Sequence, residues 1–320
     1  MLLEFLSVGL LGILILVILV PYWLKTKDLK KISSKDLPSD GHWAQLLKGN
    51  IYYRWHHPEQ KNGQTIVMVH GFSTPSFVWN GLLDGLLNKG YSILVYDHYG
   101  RGFSERPRTK YSLDFYAETL KELISHQNID GKIHLVGYSM GGPIIGGFAD
   151  KYSDQVKSLS FIAPAGFGKV QTSIPFFMKI PGVIEWAMHV LADRFYGSAI
   201  SSETAHSNDP LSINEEEFQQ LFSFQMQFKG FRESLASTMR NFNLFDAREM
   251  FEKVAAKNIP SIAIWGDNDG IVSYKGAETY SEIFQEGKVI TIEAGTHDIT
   301  YRQPSDVLEA IKIFLASQIS

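Results

Sequence analysis

Six short, continuous apolar runs recur along the chain: TIVMVHG (65–71), YSILVYD (91–97), KIHLVG (132–137), VKSLSFIAP (156–164), PSIAIWGD (260–267) and KVITIE (288–293). Runs of this kind read as strands buried on both faces, as in a parallel sheet. Helical periodicity lies between them. SLDFYAETLKELISHQ places Leu113, Tyr116, Leu120, Leu123 and Ile124 on one side, with Ser112 as N-cap. PSDVLEAIKIFLASQ gathers Val307, Leu308, Ile311, Phe314 and Leu315 on one face. Ahead of all this, HWAQLLKGNIYYRWHH reads as two strands about a turn at Lys48-Gly49-Asn50. Strands alternating with helices predict an α/β fold on a mostly parallel sheet.

One stretch breaks the alternation. Between Gly168 and Asn258 there is no clear strand, and the segment is rich in aromatics, among them Phe176, Phe177, Trp186, Phe195, Tyr196 and Phe218. It reads as a helical insertion between the fourth and fifth runs. Its rings are ordinary helix core, with some of them expected to face a pocket.

The first residues stand apart. From Phe5 to Leu24 the chain is almost wholly apolar, long enough as a helix to span the roughly 30 Å of a bilayer's hydrocarbon. Tyr22 and Trp23 close the run, and Lys25, Lys27, Lys30 and Lys31 follow. A cleaved leader would begin with basic residues, whereas this one carries Glu4. The expectation is a retained transmembrane anchor over 1–24, with the lysines placing the following domain on the cytoplasmic side. Polar residues 25–40 read as a linker.

Composition excludes more than it selects. The chain has 320 residues and a formal net charge of −4, with no basic stripe, so nucleic acid is not an expected partner. It has no cysteine, which excludes disulfides, thiolate metal sites, cysteine nucleophiles and a lipidated-cysteine anchor.

The candidate chemistry centres on HLVGYSMGGP (134–143). A G-x-S-x-G pattern is weak alone, but here KIHLV supplies a strand before it and PIIGGFADKY a helix after it, with Pro143 in the first turn. Gly137 and Gly141 remove side chains where strand and helix cross. Ser139 is then held exposed on a strained turn at a helix N-terminus. A serine hydroxyl needs a base, and the base an orienting acid. WGDNDGIV follows the fifth run and EAGTHDI the sixth, and loops leaving the carboxyl ends of parallel strands converge. His297 is therefore the candidate base, with Asp267 and Asp269 both candidates for the acid. Oxyanion donors are expected from the backbone N–H groups of Met140 and of Phe72, in HGFS.

HGFS, YDHYGRGFS, GYSMGG, WGDNDGIV and GTHD, in this order, resemble the α/β-hydrolase superfamily over residues 50–168 and 258–320. The resemblance implies an α/β-hydrolase core at 41–168 and 258–320 with a helical cap at 169–257. It maps the family's G-x-x-D acid onto Gly266 and Asp269, favouring Asp269 over Asp267, and implies no metal or cofactor. The DHYGRGFS loop reads as a structural turn. Ser139 argues against the branches that carry Asp at this position. Tyr138 and Asp298 depart from the Asn and Trp of carbon–carbon bond hydrolases. An anchor followed by a capped serine hydrolase is similar to monoacylglycerol lipase-like and lysophospholipase-like members, implying a carboxylic ester substrate with an apolar acyl chain. The alternatives are a small soluble ester or vinylogous ketone, or a silent hydrolase fold used for binding.

Overall fold

The computed structural model describes residues 9, 12–168, 180–191 and 208–318. Eight strands form one sheet: β1 (His42–Leu46), β2 (Gly49–His56), β3 (Thr65–Val69), β4 (Ser92–Tyr96), β5 (Ile133–Tyr138), β6 (Val156–Ile162), β7 (Ser261–Gly266) and β8 (Lys288–Ile292). Their spatial order is β1-β2-β4-β3-β5-β6-β7-β8. The first two strands pair antiparallel, and β2 is also antiparallel to β4. From β4 to β8 every pair is parallel. After β3 the chain fills one side of the sheet and then the other, so β3 and β5 flank a switch point. Crevices at the carboxyl ends of such strands are where sites form in open α/β sheets.

The helices described are α1 (Val20–Thr26), α2 (Asn80–Leu87), α3 (Leu113–His126), α4 (Gly141–Lys151), α5 (Val183–Val190), α6 (Glu215–Met226), α7 (Phe231–Asn241), α8 (Arg248–Ala255), α9 (Gly276–Ile283), α10 (Ile299–Arg302) and α11 (Pro304–Ala316). Alternation along the strands feeds two cores. Val67 and Val69 pack with Leu135 and Phe161 on one face, while Ile66 and Met68 pack with Val136 and Ile262 on the other. Ser112 caps α3 by accepting from the Phe115 N–H at 3.2 Å, as its position predicts.

Three features differ from expectation. Strand β8 is mostly exposed, with Ile292 its buried residue, because it pairs with β7 alone at the sheet's edge. Helix α2 has no counterpart among the elements read from the sequence, and Gly81 and Gly85 lie within it. They allow close packing: a Cβ at Gly81 would lie 2.8 Å from Cβ of Pro304, at the start of α11. The third difference concerns the N-terminus. Residues 15–19 form a π-helical turn ahead of α1, and among the described residues no helix is long and apolar enough to cross a membrane. A spanning helix over 1–24 therefore has no support from the described residues, and positions 1–8, 10 and 11 lie outside them. Residues 13–20 are exposed, as are Trp23 and Leu24.

The expected linker is fastened rather than free. Lys30 bridges in parallel to Phe228, its N–H donating to the Gln227 carbonyl at 2.9 Å. Between β6 and β7 the described elements are all helical, α5 to α8. Phe176, Phe177, Phe195 and Tyr196 lie outside the described residues. Helix α8 packs in the sheet-side layer, where the Phe251 ring stacks on Phe167 at 4.0 Å between centroids.

Candidate active site

Strand β5 delivers Ser139 into a turn that few side chains adopt. Its φ is +52°, in the left-handed region that costs an L-residue about 1–2 kcal/mol. Backbone hydrogen bonds hold the strain on both sides. The Ser139 N–H donates to Ile162 O at 2.9 Å, and its carbonyl accepts from Gly142 at 2.9 Å and Ala165 at 3.0 Å. The flanking glycines make the crossing possible. A Cβ on Gly137 would lie 2.5 Å from the Gly141 carbonyl oxygen, and one on Gly141 would run into the Val69 carbonyl. On the other side a Cβ at Gly71 would lie 3.2 Å from the Ser139 Cβ, so the loop after β3 borders the serine directly.

The loops after β7 and β8 bring the partners. His297 Nε2 lies 2.9 Å from Ser139 Oγ, and His297 Nδ1 lies 2.8 Å from Asp269 Oδ2. The other carboxylate oxygen of Asp269 accepts the N–H groups of Ile271 and Val272 at 2.9 and 2.8 Å, which fixes its orientation. The Asp269 side chain is fully buried, and that of His297 is 12% exposed. Asp267 is exposed, its N–H spent on the Ile292 carbonyl, so between the two candidate acids it is Asp269 that meets the imidazole. The two loops touch where a Cβ on Gly295 would lie 2.8 Å from the Gly266 Cα. Tyr138 donates its hydroxyl proton to the His297 carbonyl at 3.1 Å, tying the histidine loop to β5.

The structure thus brings Ser139, Asp269 and His297 into one hydrogen-bonded chain and sets Phe72 and Met140 on the two loops beside the serine. Neither the Phe72 nor the Met140 N–H donates to a protein acceptor among the described residues. A hydroxyl in this setting can lose its proton to an imidazole whose other nitrogen is held by a carboxylate.

Surrounding side chains explain how the loops are held. Asp97 accepts the N–H groups of Ser76 and Phe103 at 2.8 and 2.9 Å, so this part of DHYGRGFS is scaffold, as expected. His70 and His98 are buried together with ring centroids 4.1 Å apart, and burial lowers the basicity of both, that of His98 to about 3. Asp298, next to His297, is buried, and burial raises its carboxyl above the usual range despite the Thr296 hydroxyl that donates to it. Arg302 links Asp298, at 3.5 Å, to Glu215 at the start of α6, at 2.9 Å. His134, inside β5, is buried between Ser158 and Gln64. Sequence reasoning passed over Arg101 and Arg302. The sign that could have marked Arg101 is a long cation set between two glycines in a turn otherwise built for burial.

Comparison with known proteins agrees with this architecture. A family model described as "alpha/beta hydrolase fold" matches residues 64–302. The chain is similar to Lipase 3 of Moraxella sp. (strain TA144), 27% identical over 270 residues that cover 79% of this chain and 77% of that one. It is also similar to a monoacylglycerol lipase of Mus musculus, 22% identical over 86% of this chain and 85% of that one. Among solved structures, a bromoperoxidase from Bacillus anthracis superposes with a TM-score of 0.71 at 22% identity, covering 86% of this chain and 99% of that one.

Proposed function

The chain belongs to the α/β-hydrolase fold family, and from that premise we propose that it is a serine hydrolase of carboxylic esters carrying an apolar acyl chain, such as a monoacylglycerol or lysophospholipid. The observation that carries the reading is the continuous chain from Ser139 Oγ through His297 to Asp269. Ser139 Oγ attacks the ester carbonyl as His297 Nε2 takes its proton. Asp269 holds the imidazole and stabilises the imidazolium. The N–H groups of Phe72 and Met140 receive the developing oxyanion, each worth about 3 kcal/mol in the transition state. His297 then passes its proton to the departing alcohol, leaving an acyl group on Ser139. In the second half His297 deprotonates water, and the free acid leaves. No cofactor or metal enters these steps.

The lipid character of the substrate rests on two supports. One is the lipase names carried by the relatives. The other is the exposed apolar helix at residues 13–20, a contiguous surface of a kind that marks membrane or partner contact. In this reading that helix holds the protein on a membrane. In it residues 41–168 and 258–320 are the hydrolase core and 169–257 the inserted cap through which the acyl chain is held, with α8 at its end packed back on the sheet side.

The test is turnover of a p-nitrophenyl ester series from acetate to palmitate by the full chain in detergent, beside Ser139→Ala. The expected result is a rate that is lost in the variant and highest at medium or long chains. A Ser139-dependent rate confined to acetate would reject the lipid assignment and keep the chemistry. Equal rates in the two proteins would reject the chemistry itself.

A further inference from the structure

Arg101 carries a charge that the fold buries completely. Among the described residues no carboxylate lies within ion-pair distance of it, and a buried guanidinium without a counter-charge is costly unless its donors are all engaged. They are engaged in a specific way. Nε donates to the Phe72 carbonyl at 2.6 Å, and Nη1 donates to Ser234 Oγ at 2.6 Å. Nη2 reaches the Thr238 hydroxyl at 3.2 Å and the Tyr116 hydroxyl at 3.3 Å. The guanidinium also lies 5.5 Å from the centroid of the Phe72 ring. Ser234 and Thr238 are both on α7, in the helical stretch between β6 and β7, while Phe72 is on the loop that borders Ser139.

We propose that Arg101 is a positioning residue that makes the placement of the oxyanion loop depend on α7. One planar cation grips Phe72 at its carbonyl and its ring, and grips α7 at two hydroxyls one helical turn apart. The Phe72 backbone is then held in the conformation that points its N–H at the reacting carbonyl. Movement of α7, for example as an acyl chain enters beneath it, changes the strength of that hold. A purely structural cation would be served as well by a carboxylate partner. Here the acceptors are neutral, and two of the three side-chain acceptors belong to α7. The inference rests on the role proposed for the Phe72 N–H, and the test separates the two.

The test compares Arg101→Met, which keeps an unbranched apolar stem and removes every donor, with the double variant Ser234→Ala/Thr238→Ala, which leaves Arg101 and removes its two hydroxyl partners on α7 together with their bonds to Gly100 and Tyr116. Both are assayed on a medium-chain p-nitrophenyl ester, with melting curves to count folded protein and with inhibition constants for an alkyl boronic acid and for the fatty acid product. A displaced oxyanion donor should lower kcat by on the order of 10- to 100-fold in Arg101→Met. It should weaken the tetrahedral boronate by a similar factor and leave product binding within about twofold, KM moving little. The double variant should show the same signature at a few-fold loss. Unchanged kcat per folded molecule in the double variant would overturn the coupling to α7, even if Arg101→Met failed to fold. A parallel loss of boronate and product binding would reduce Arg101 to a packing role. Neither result would touch the Ser139 chemistry, which stands or falls on Ser139→Ala.

Discussion

Replacing Gly137 by alanine tests the idea that the site is built by backbone contact. The new Cβ would lie 2.5 Å from the Gly141 carbonyl oxygen, 2.7 Å from its carbon and 3.0 Å from the Gly142 nitrogen. A carbon normally stands about 3.3 Å or more from a carbonyl oxygen, so roughly 0.8 Å must be found. No side chain can yield it, because every atom named is main chain in the first turn of α4. If α4 moves off β5 by that amount it carries Ser139 and Met140 with it. The 2.9 Å separation of Ser139 Oγ from His297 Nε2 would then open to about 3.7 Å, beyond a hydrogen bond. The expected cost is about 1–3 kcal/mol of stability from overpacking and a loss of kcat on the order of 100-fold, with KM little changed. The assay is ester turnover together with the rate of covalent labelling by a fluorophosphonate, each normalised to folded protein from a melting curve. Gly270→Ala is the control, since a Cβ there meets nothing within 4 Å. Wild-type labelling and turnover by Gly137→Ala would refute the reasoning.

Two further outcomes complement the tests described with the ester series and with Arg101. His134 is held neutral, its pKa pushed down to about 4 chiefly by burial, against 6.5 when unfolded. Between pH 6.5 and 4 the unfolded chain therefore binds more protons at this position than the folded one, so stability should fall as the pH drops through that window. In His134→Gln the fall should be shallower, and melting temperatures that decline in parallel for both proteins would contradict the assignment. Removal of residues 1–26 should shift the protein from the membrane fraction to the supernatant in a fractionated lysate. An unchanged distribution would mean that the exposed apolar helix is not what holds it there.

Much of this site could be read from the chain because its parts are local. A strand–glycine–serine–glycine–helix sequence already contains the strained turn, and φ +52° at Ser139 is what that spelling demands. Once parallel strands are inferred their loops must emerge at one edge, which brings His297 towards Ser139 but leaves Asp267 and Asp269 both within reach, and only the resemblance to the family's G-x-x-D favours Asp269. What escaped notice is long-range. Arg101 finds its partners on α7, and Arg302 reaches Glu215 on α6, contacts with no periodicity to reveal them. The two glycines of α2 look like breakers until α11 is seen against them. The exposure of β8 follows from its place at the sheet's margin, which its composition, as apolar as that of its neighbours, does not record.

The helical segment at the start of the chain is not an appendage to the insertion but is spliced to it. The Trp186 indole donates to the Ile18 carbonyl at 2.8 Å, the Tyr22 ring meets His189 edge-on at 5.1 Å, and Lys30 shares backbone bonds with the stretch after α6. Any handle placed at this end, whether a purification tag, a fluorescent fusion or a truncation chosen for solubility, is therefore fastened to the helical stretch between β6 and β7. Preparations that differ at the N-terminus would differ in what α5 and the stretch after α6 rest against, and a change made for handling is also a change to the packing of the insertion.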